Sequence, residues 1–185
     1  MRVKQWQSWQ GIFNQVVSPK GDHHMKRTRA VTVMCVAMML MGAHVRADDP
    51  QSRCTQIGNN WVNFWNSQDI STAFDVFTED IGYEDVPTGV VVDGADAFQT
   101  FAQGFFTAFP QSTFTLVNSS CSGQQGFIEW RWSAVDDPGF FGTGNQIDVQ
   151  GVAIIAIHGN SISRDTDYWD YATVLRQLGQ LPPGL

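Results

Sequence analysis

Four long stretches in the C-terminal half, at about 112–119, 126–135, 145–157 and 161–170, constrain this chain most strongly, because they read as strands of one meander. Gly123-Gln-Gln-Gly126 and His158-Gly-Asn160 separate them with turn chemistry suited to hairpins, so consecutive strands should pair antiparallel. A sheet of that kind has an apolar face that other elements must cover. The preceding segment supplies them. Residues 54–67 form an amphipathic pattern with Ile57, Trp61, Phe64 and Trp65 on one stripe, and 70–77 reads as a shorter helix with Ala73, Phe74 and Phe77 inward. Residues 93–109 read as the longest helix, capped by Asp93 and ended by Pro110, with Phe98, Phe101, Phe105 and Phe106 as a wide aromatic face. Two short strands, 81–86 and 90–92, flank Pro87-Thr-Gly89. The expected class is α+β: a curved, mostly antiparallel sheet packed against N-terminal helices and one long helix.

The chain before Asp48 reads as an address. Met25-Lys-Arg-Thr-Arg29 is a basic start, 30–42 is an almost unbroken apolar run, and Val45-Arg-Ala47 offers small residues before a cut. Together they form a signal peptide over 25–47, cleaved near Ala47. The run is shorter than the ~20 apolar residues a membrane span needs. Because Met25 opens a complete signal, residues 1–24 read as a non-native upstream extension, the alternative being a long, unusual n-region of the signal. The mature segment, 48–185, is sized for one domain, secreted or periplasmic. It holds four arginines and no lysine against seventeen acidic residues, so 4 − 17 = −13 within a whole-chain charge of −7. Such a surface repels phosphate backbones and anionic headgroups, which argues against nucleic acid or membrane as partner.

Two cysteines remain after cleavage, Cys54 and Cys121, and an oxidising compartment should pair them. The long loop so closed is worth roughly 4 kcal/mol at best. The lone histidine of the domain, His158, falls at a hairpin tip, and no cluster has ligand spacing, so neither a metal nor a cofactor is expected.

The C-terminal stretch runs Arg164-Asp-Thr-Asp-Tyr-Trp-Asp170 and continues as a short helix to Gly179. Asp170 stands at the junction beside aromatics, where an apolar setting would raise its pKa toward the range useful for proton transfer. Alternatively it caps the helix through the amides of Thr173 or Val174. The run Asp167-Tyr-Trp-Asp170 followed by Leu175-Arg-Gln-Leu-Gly179 resembles the closing motif of the SnoaL-like polyketide cyclases and is similar to the ending of the limonene-epoxide-hydrolase group. Both lie in the NTF2-like superfamily, and the resemblance covers about 61–181. It implies a cone-shaped apolar pocket enclosed by the sheet and helices.

The resemblance also suggests site residues. Tyr83-Glu-Asp85-Val-Pro87 matches the segment in which the hydrolases carry a tyrosine and an amide, here an acid, with Tyr83 and Asp85 on one strand face. Asp85 alternatively serves the turn before Pro87. Arg131 in Glu129-Trp-Arg-Trp132 resembles the hydrolases' arginine, but Ser133 stands where their relay needs an acid, so epoxide hydrolysis is demoted. Arg131 is then an oxyanion donor or an outward cross-strand ion pair. Phe140 and Phe141 lie in a loop that forms a lip of the pocket in SnoaL-like proteins. Trp65, Phe105, Phe141 and Trp169 are expected to touch the ligand. A homodimer through the open sheet face is compatible with Trp130 and Trp132.

The function expected is a cofactor-independent acid/base enzyme, an aldol-type cyclase, isomerase or lyase, acting on an apolar or carbonyl-bearing small molecule. Asp170 serves as acid/base, with Tyr83, Asp85 and Arg131 around it. The alternative is a non-catalytic carrier of a hydrophobic ligand using the same pocket.

Overall fold

The computed structural model describes residues 50–182; the upstream extension and signal peptide expected over 1–47 lie outside the described residues. The chain opens with helix α1, Pro50–Ser67, whose apolar stripe buries Ile57, Trp61, Phe64 and Trp65. Gln68 in the left-handed region (φ 53) stops it. Asp69 then caps a single 3-10 turn, Ile70–Thr72, and a short helical segment α2 follows, Ala73–Val76.

Strand β1 spans Phe77–Asp85 and β2 spans Val90–Asp93. Helix α3, Ala95–Ala108, lies between them and the meander. The meander is β3 (Thr113–Ser122), β4 (Gln125–Val135), β5 (Gln146–His158) and β6 (Ser161–Trp169), and helix α4, Tyr171–Gln177, follows. The six strands form one sheet in the order β2-β1-β6-β5-β4-β3. All neighbours are antiparallel except β1 and β6, because the last strand of the meander returns beside the first strand of the domain.

Three local expectations change. The strand expected over 81–86 starts earlier, at Phe77, and carries an irregularity between Phe77 and Gly82. The longest helix among the described residues is α1, with 18 residues against 14 in α3. Asp93 is still paired to Gly82 in β2, so the N-cap of α3 falls to Gly94, whose φ of 82 a side chain would resist.

Alternation decides what the sheet presents to each side. On β4, Ile128, Trp130, Trp132 and Ala134 are buried, while Arg131 and Ser133 are exposed. Trp130 and Trp132 are thus committed to the interior, which overturns their place on an outer dimer face. Trp61 of α1 stacks near Trp130 (centroids 6.2 Å apart, 17° between planes), and Phe98 of α3 packs on Phe77 at 4.6 Å. Helix α1 is fastened across β3 at both ends. The expected disulfide Cys54–Cys121 closes with a Cα–Cα distance of 5.6 Å. At the other end Asn66 donates through Nδ2 to the Phe114 carbonyl (2.8 Å) and accepts the Phe114 N–H at Oδ1 (2.7 Å). His158 is exposed beside the Gly159–Asn160 turn.

Candidate active site

A cavity of about 130 Å³ lies on the inner face of the sheet, lined by side chains from both long helices, β1, β4, β6 and the β4–β5 loop. Its wall is mostly aromatic and includes five tryptophans: Trp61, Trp65, Trp130, Trp132 and Trp169. Polar groups converge from two strands. On β1 the period-2 alternation turns Tyr83 and Asp85 inward and leaves Glu84 to meet Arg164 outside. On β6 the same alternation places Asp165, Asp167 and Trp169 on one face. Parallel pairing of β1 with β6 then sets the two groups side by side, with Tyr83 opposite Asp165 and Asp85 opposite Asp167.

The tryptophans serve the acids as well as the wall. Tyr83 Oη donates to Asp167 Oδ2 (2.9 Å) and Trp130 Nε1 donates to Asp167 Oδ1 (3.1 Å). Trp61 Nε1 donates to Asp165 Oδ2 (2.7 Å), and Trp169 Nε1 donates to Asp85 Oδ1 (3.0 Å). The Thr88 amide also reaches Asp85 Oδ1, at 3.4 Å, so the expected turn role of Asp85 coexists with its place in the cavity wall.

Burial sets the protonation of this cluster. It raises Asp85 from 3.8 to about 6, against the opposing effect of the Trp169 hydrogen bond. Asp165, fully buried, rises to about 7 for the same reason. Asp167 is pushed well above the carboxylate range by burial and then by the neighbouring charges of Asp165 and Asp85. Burial and Asp167 push Tyr83 upward too, so it stays a neutral phenol. At neutral pH Asp85 is therefore a carboxylate in the wall of an apolar cavity. Its Oδ1 accepts from Trp169 and from the Thr88 amide, and its place in the cavity wall sets it to act as a base. Burial biases Asp167 toward its protonated form. In that form its hydroxyl can donate to Tyr83 Oη in place of the Tyr83-to-Asp167 bond, which turns the tyrosine proton toward the cavity.

The expected site residues divide. Tyr83, Asp85, Trp65, Phe105 and Trp169 line the cavity. Asp170 does not. It is exposed and caps α4, accepting from the Thr173 amide at 2.9 Å, and those bonds lower its pKa rather than raise it. Arg131 is on the outer face in a two-pronged ion pair with Asp148. Phe141 is not in the cavity wall; Phe140 takes its place. The reason lies in Asp136, which is fully buried and accepts from the amides of Phe141 (3.0 Å) and Thr143 (2.9 Å). A Cβ on Gly139 would fall 2.1 Å from Asp136 Oδ1, so only glycine lets the loop close around that carboxylate. The loop so held packs Phe140 on Phe109 at 4.9 Å. Asp165 and Asp167 were not singled out from sequence, although the parity of β6 carries the signal: both lie an even number of residues before Trp169.

The family model for SnoaL-like polyketide cyclase matches residues 55–178. Solved structures of similar shape include a protein of ketosteroid isomerase-like fold from Catenulispora acidiphila in complex with trimethylamine, 20% identical, covering 70% of this chain and 95% of that one with a TM-score of 0.62. A proposed polyketide cyclase from Acidithiobacillus ferrooxidans is 22% identical over 72% of this chain and 99% of its own, with a TM-score of 0.60. A proposed SnoaL-like polyketide cyclase from Jannaschia is 16% identical over 74% of this chain and 100% of its own, at 0.61. No curated protein matches the chain. At these identities the structural likeness speaks for the ketosteroid isomerase-like fold, whereas the family match runs from the first helix through every strand to α4. The chain belongs to the SnoaL-like polyketide cyclase family.

Proposed function

We propose that this protein is a secreted, cofactor-independent acid/base enzyme of the cyclase, isomerase or lyase type, acting on a small molecule with a carbonyl group. The observation that carries the reading is the convergence of Tyr83, Asp85 and Asp167 on one aromatic cavity. Asp85 removes a proton from the carbon next to the carbonyl, forming its own O–H bond as the C–H bond breaks. The electron pair moves onto the carbonyl oxygen, and Tyr83, backed by protonated Asp167, donates a hydrogen bond to the resulting oxyanion. Asp85 then returns the proton to another carbon, or the enolate carbon attacks a second carbonyl, whose π pair moves to its oxygen and takes the proton back from Asp85. The signal peptide read over 25–47 and the Cys54–Cys121 disulfide support secretion. Non-catalytic carriage is the second reading, favoured by how little of the wall is polar.

One experiment separates them. The protein is incubated with a small-molecule extract of its source, and the supernatant and bound fraction are compared by mass spectrometry for wild type, Asp85→Asn and Asp170→Asn. Consumption of a compound by wild type and Asp170→Asn, slowed ~10²–10⁴-fold in Asp85→Asn, is the expected result. Retention of the same unaltered compound by all three would make the protein a carrier.

A further inference from the structure

We infer that the cavity takes a small organic cation, an alkylammonium group held by the faces of its tryptophans and the Asp85 carboxylate beside them. The acid/base reading is used here only in placing the ligand in the same cavity.

Two independent features point this way. The first is the wall. Five indoles stand in the wall of a space of about 130 Å³, with five phenylalanines beside them, and indole is the side chain whose π face attracts cations most strongly. A neutral apolar ligand would be served as well by phenylalanine or leucine. The second is the charge balance. Asp85 and Asp167 line the cavity, Asp165 follows on the same strand face, and no lysine, arginine or histidine is in the lining. The arginines of the domain are engaged elsewhere: Arg53 with Gly159 and Asn160, Arg131 with Asp148, Arg164 with Glu84, and Arg176 with Asp170 and Thr173.

The acids of the interior therefore have no counter-ion of the protein's own. Next to them, outside the cavity lining, Asp165 Oδ1 is buried without any hydrogen-bond partner. Asp85, the cavity acid that is a carboxylate at neutral pH, is held in low dielectric without a cation, and a cation brought by a ligand removes that cost. Among the described residues no three carboxylate, thiol or imidazole groups gather to hold a metal ion, so the cation that fits is an organic one. The net charge of the domain adds a long-range field that draws cations inward and keeps anions out.

The test uses a pair of probes of the same shape, choline and its uncharged isostere 3,3-dimethylbutan-1-ol. Binding to the full-length chain is followed through tryptophan fluorescence and by calorimetry at pH 7.5 and pH 5. The expected result is choline bound at least ~10-fold more tightly at pH 7.5, with the preference shrinking at pH 5 as Asp85 takes up its proton. In Asp85→Asn the preference should also shrink. Should that variant misfold, calorimetry of wild type in two buffers of different ionisation enthalpy supplies a second reading, since choline, and not the alcohol, should release protons on binding. Equal binding of the two probes, or tighter binding of the alcohol, overturns the inference. If equal binding is found while consumption of a carbonyl compound still depends on Asp85, the acid/base reading stands alone. If choline is preferred but Asp85→Asn turns over as wild type does, the cation site stands and the assignment of Asp85 as base falls.

Discussion

The two faces of one sheet treat the same residue type in opposite ways. On the inner face Asp85, Asp165 and Asp167 sit among aromatic rings, receive hydrogen bonds from tyrosine and tryptophan, and are raised by burial. On the outer face Asp148 meets an arginine in water and is lowered. Beyond the strand end Asp170 is likewise exposed and lowered, by Thr173 first and more weakly by Arg176 and the Ala172 amide. The change takes a single step along a strand: Arg131 points outward between two tryptophans that point inward. A carboxylate is thus poised for proton transfer here by the face it lies on and by the absence of arginine from that face, not by the residues beside it in sequence.

The largest test of this division is Asp165→Asn. A carboxyl whose folded pKa lies above its unfolded value holds its proton longer in the native state. Its contribution to stability is full below the unfolded value near 3.8 and falls as pH rises to about 7. Each pKa unit amounts to ~1.4 kcal/mol, so the wild type should lose on the order of 3 kcal/mol more than the Asn variant between pH 4.5 and pH 8. Denaturant midpoints at the two pH values measure it. Parallel losses in the two proteins would place Asp165 with the outer acids.

How far this division was legible in sequence varies by residue. Tyr83 and Asp85 follow from strand alternation together with the family resemblance, and the outward pair of Arg131 was one of two readings of its strand. Asp170 was misplaced because its aromatic neighbours in sequence were weighed as its surroundings. The strand ends at Trp169, and the face that bears Trp169 is shared with Asp167. Phe140 and Phe141 are indistinguishable as a dipeptide, and the choice between them depends on the bonds of Asp136 across its own loop. Parity along β6 puts Asp165 on the inner face, but its partner Trp61 lies 104 residues away in sequence. Architecture was readable because it depends on period and turns; the acid cluster was harder to read because pairing across the sheet assembles it.

A smaller effect is expected from Gly151→Ala. Gly151 is the β5 partner of both Trp130 and Trp169, and a Cβ there would fall 2.4 Å from the Trp130 ring. The indole must shift, and its 3.1 Å hydrogen bond to Asp167 is strained or lost. Overpacking of this kind costs ~1–3 kcal/mol. The expected result is a lower melting temperature together with weaker ligand binding, because the displaced ring belongs to the cavity wall. A stability loss with binding intact would mean that the inner face tolerates movement of Trp130, and that the tight arrangement of donors around Asp167 is not required.

The smallest effect should come from Arg131→Met, which unpairs Asp148 without touching the cavity. The pair is roughly half exposed, with side-chain accessibilities of 54% and 45%, so water and salt screen it. Asp148 is lowered by Arg131, and its contribution is therefore present above the unfolded carboxylate pKa and lost as pH falls through the folded value, the reverse of Asp165. The variant should keep wild-type ligand affinity and a nearly unchanged melting temperature, with any difference at neutral pH vanishing in ~1 M salt. The two substitutions change stability with opposite dependence on pH, so the pair of titrations separates the faces even where the outer effect is small. A loss of affinity in Arg131→Met would show that charge on the outer face is felt across the sheet, and the separation of the two acid populations would then be incomplete.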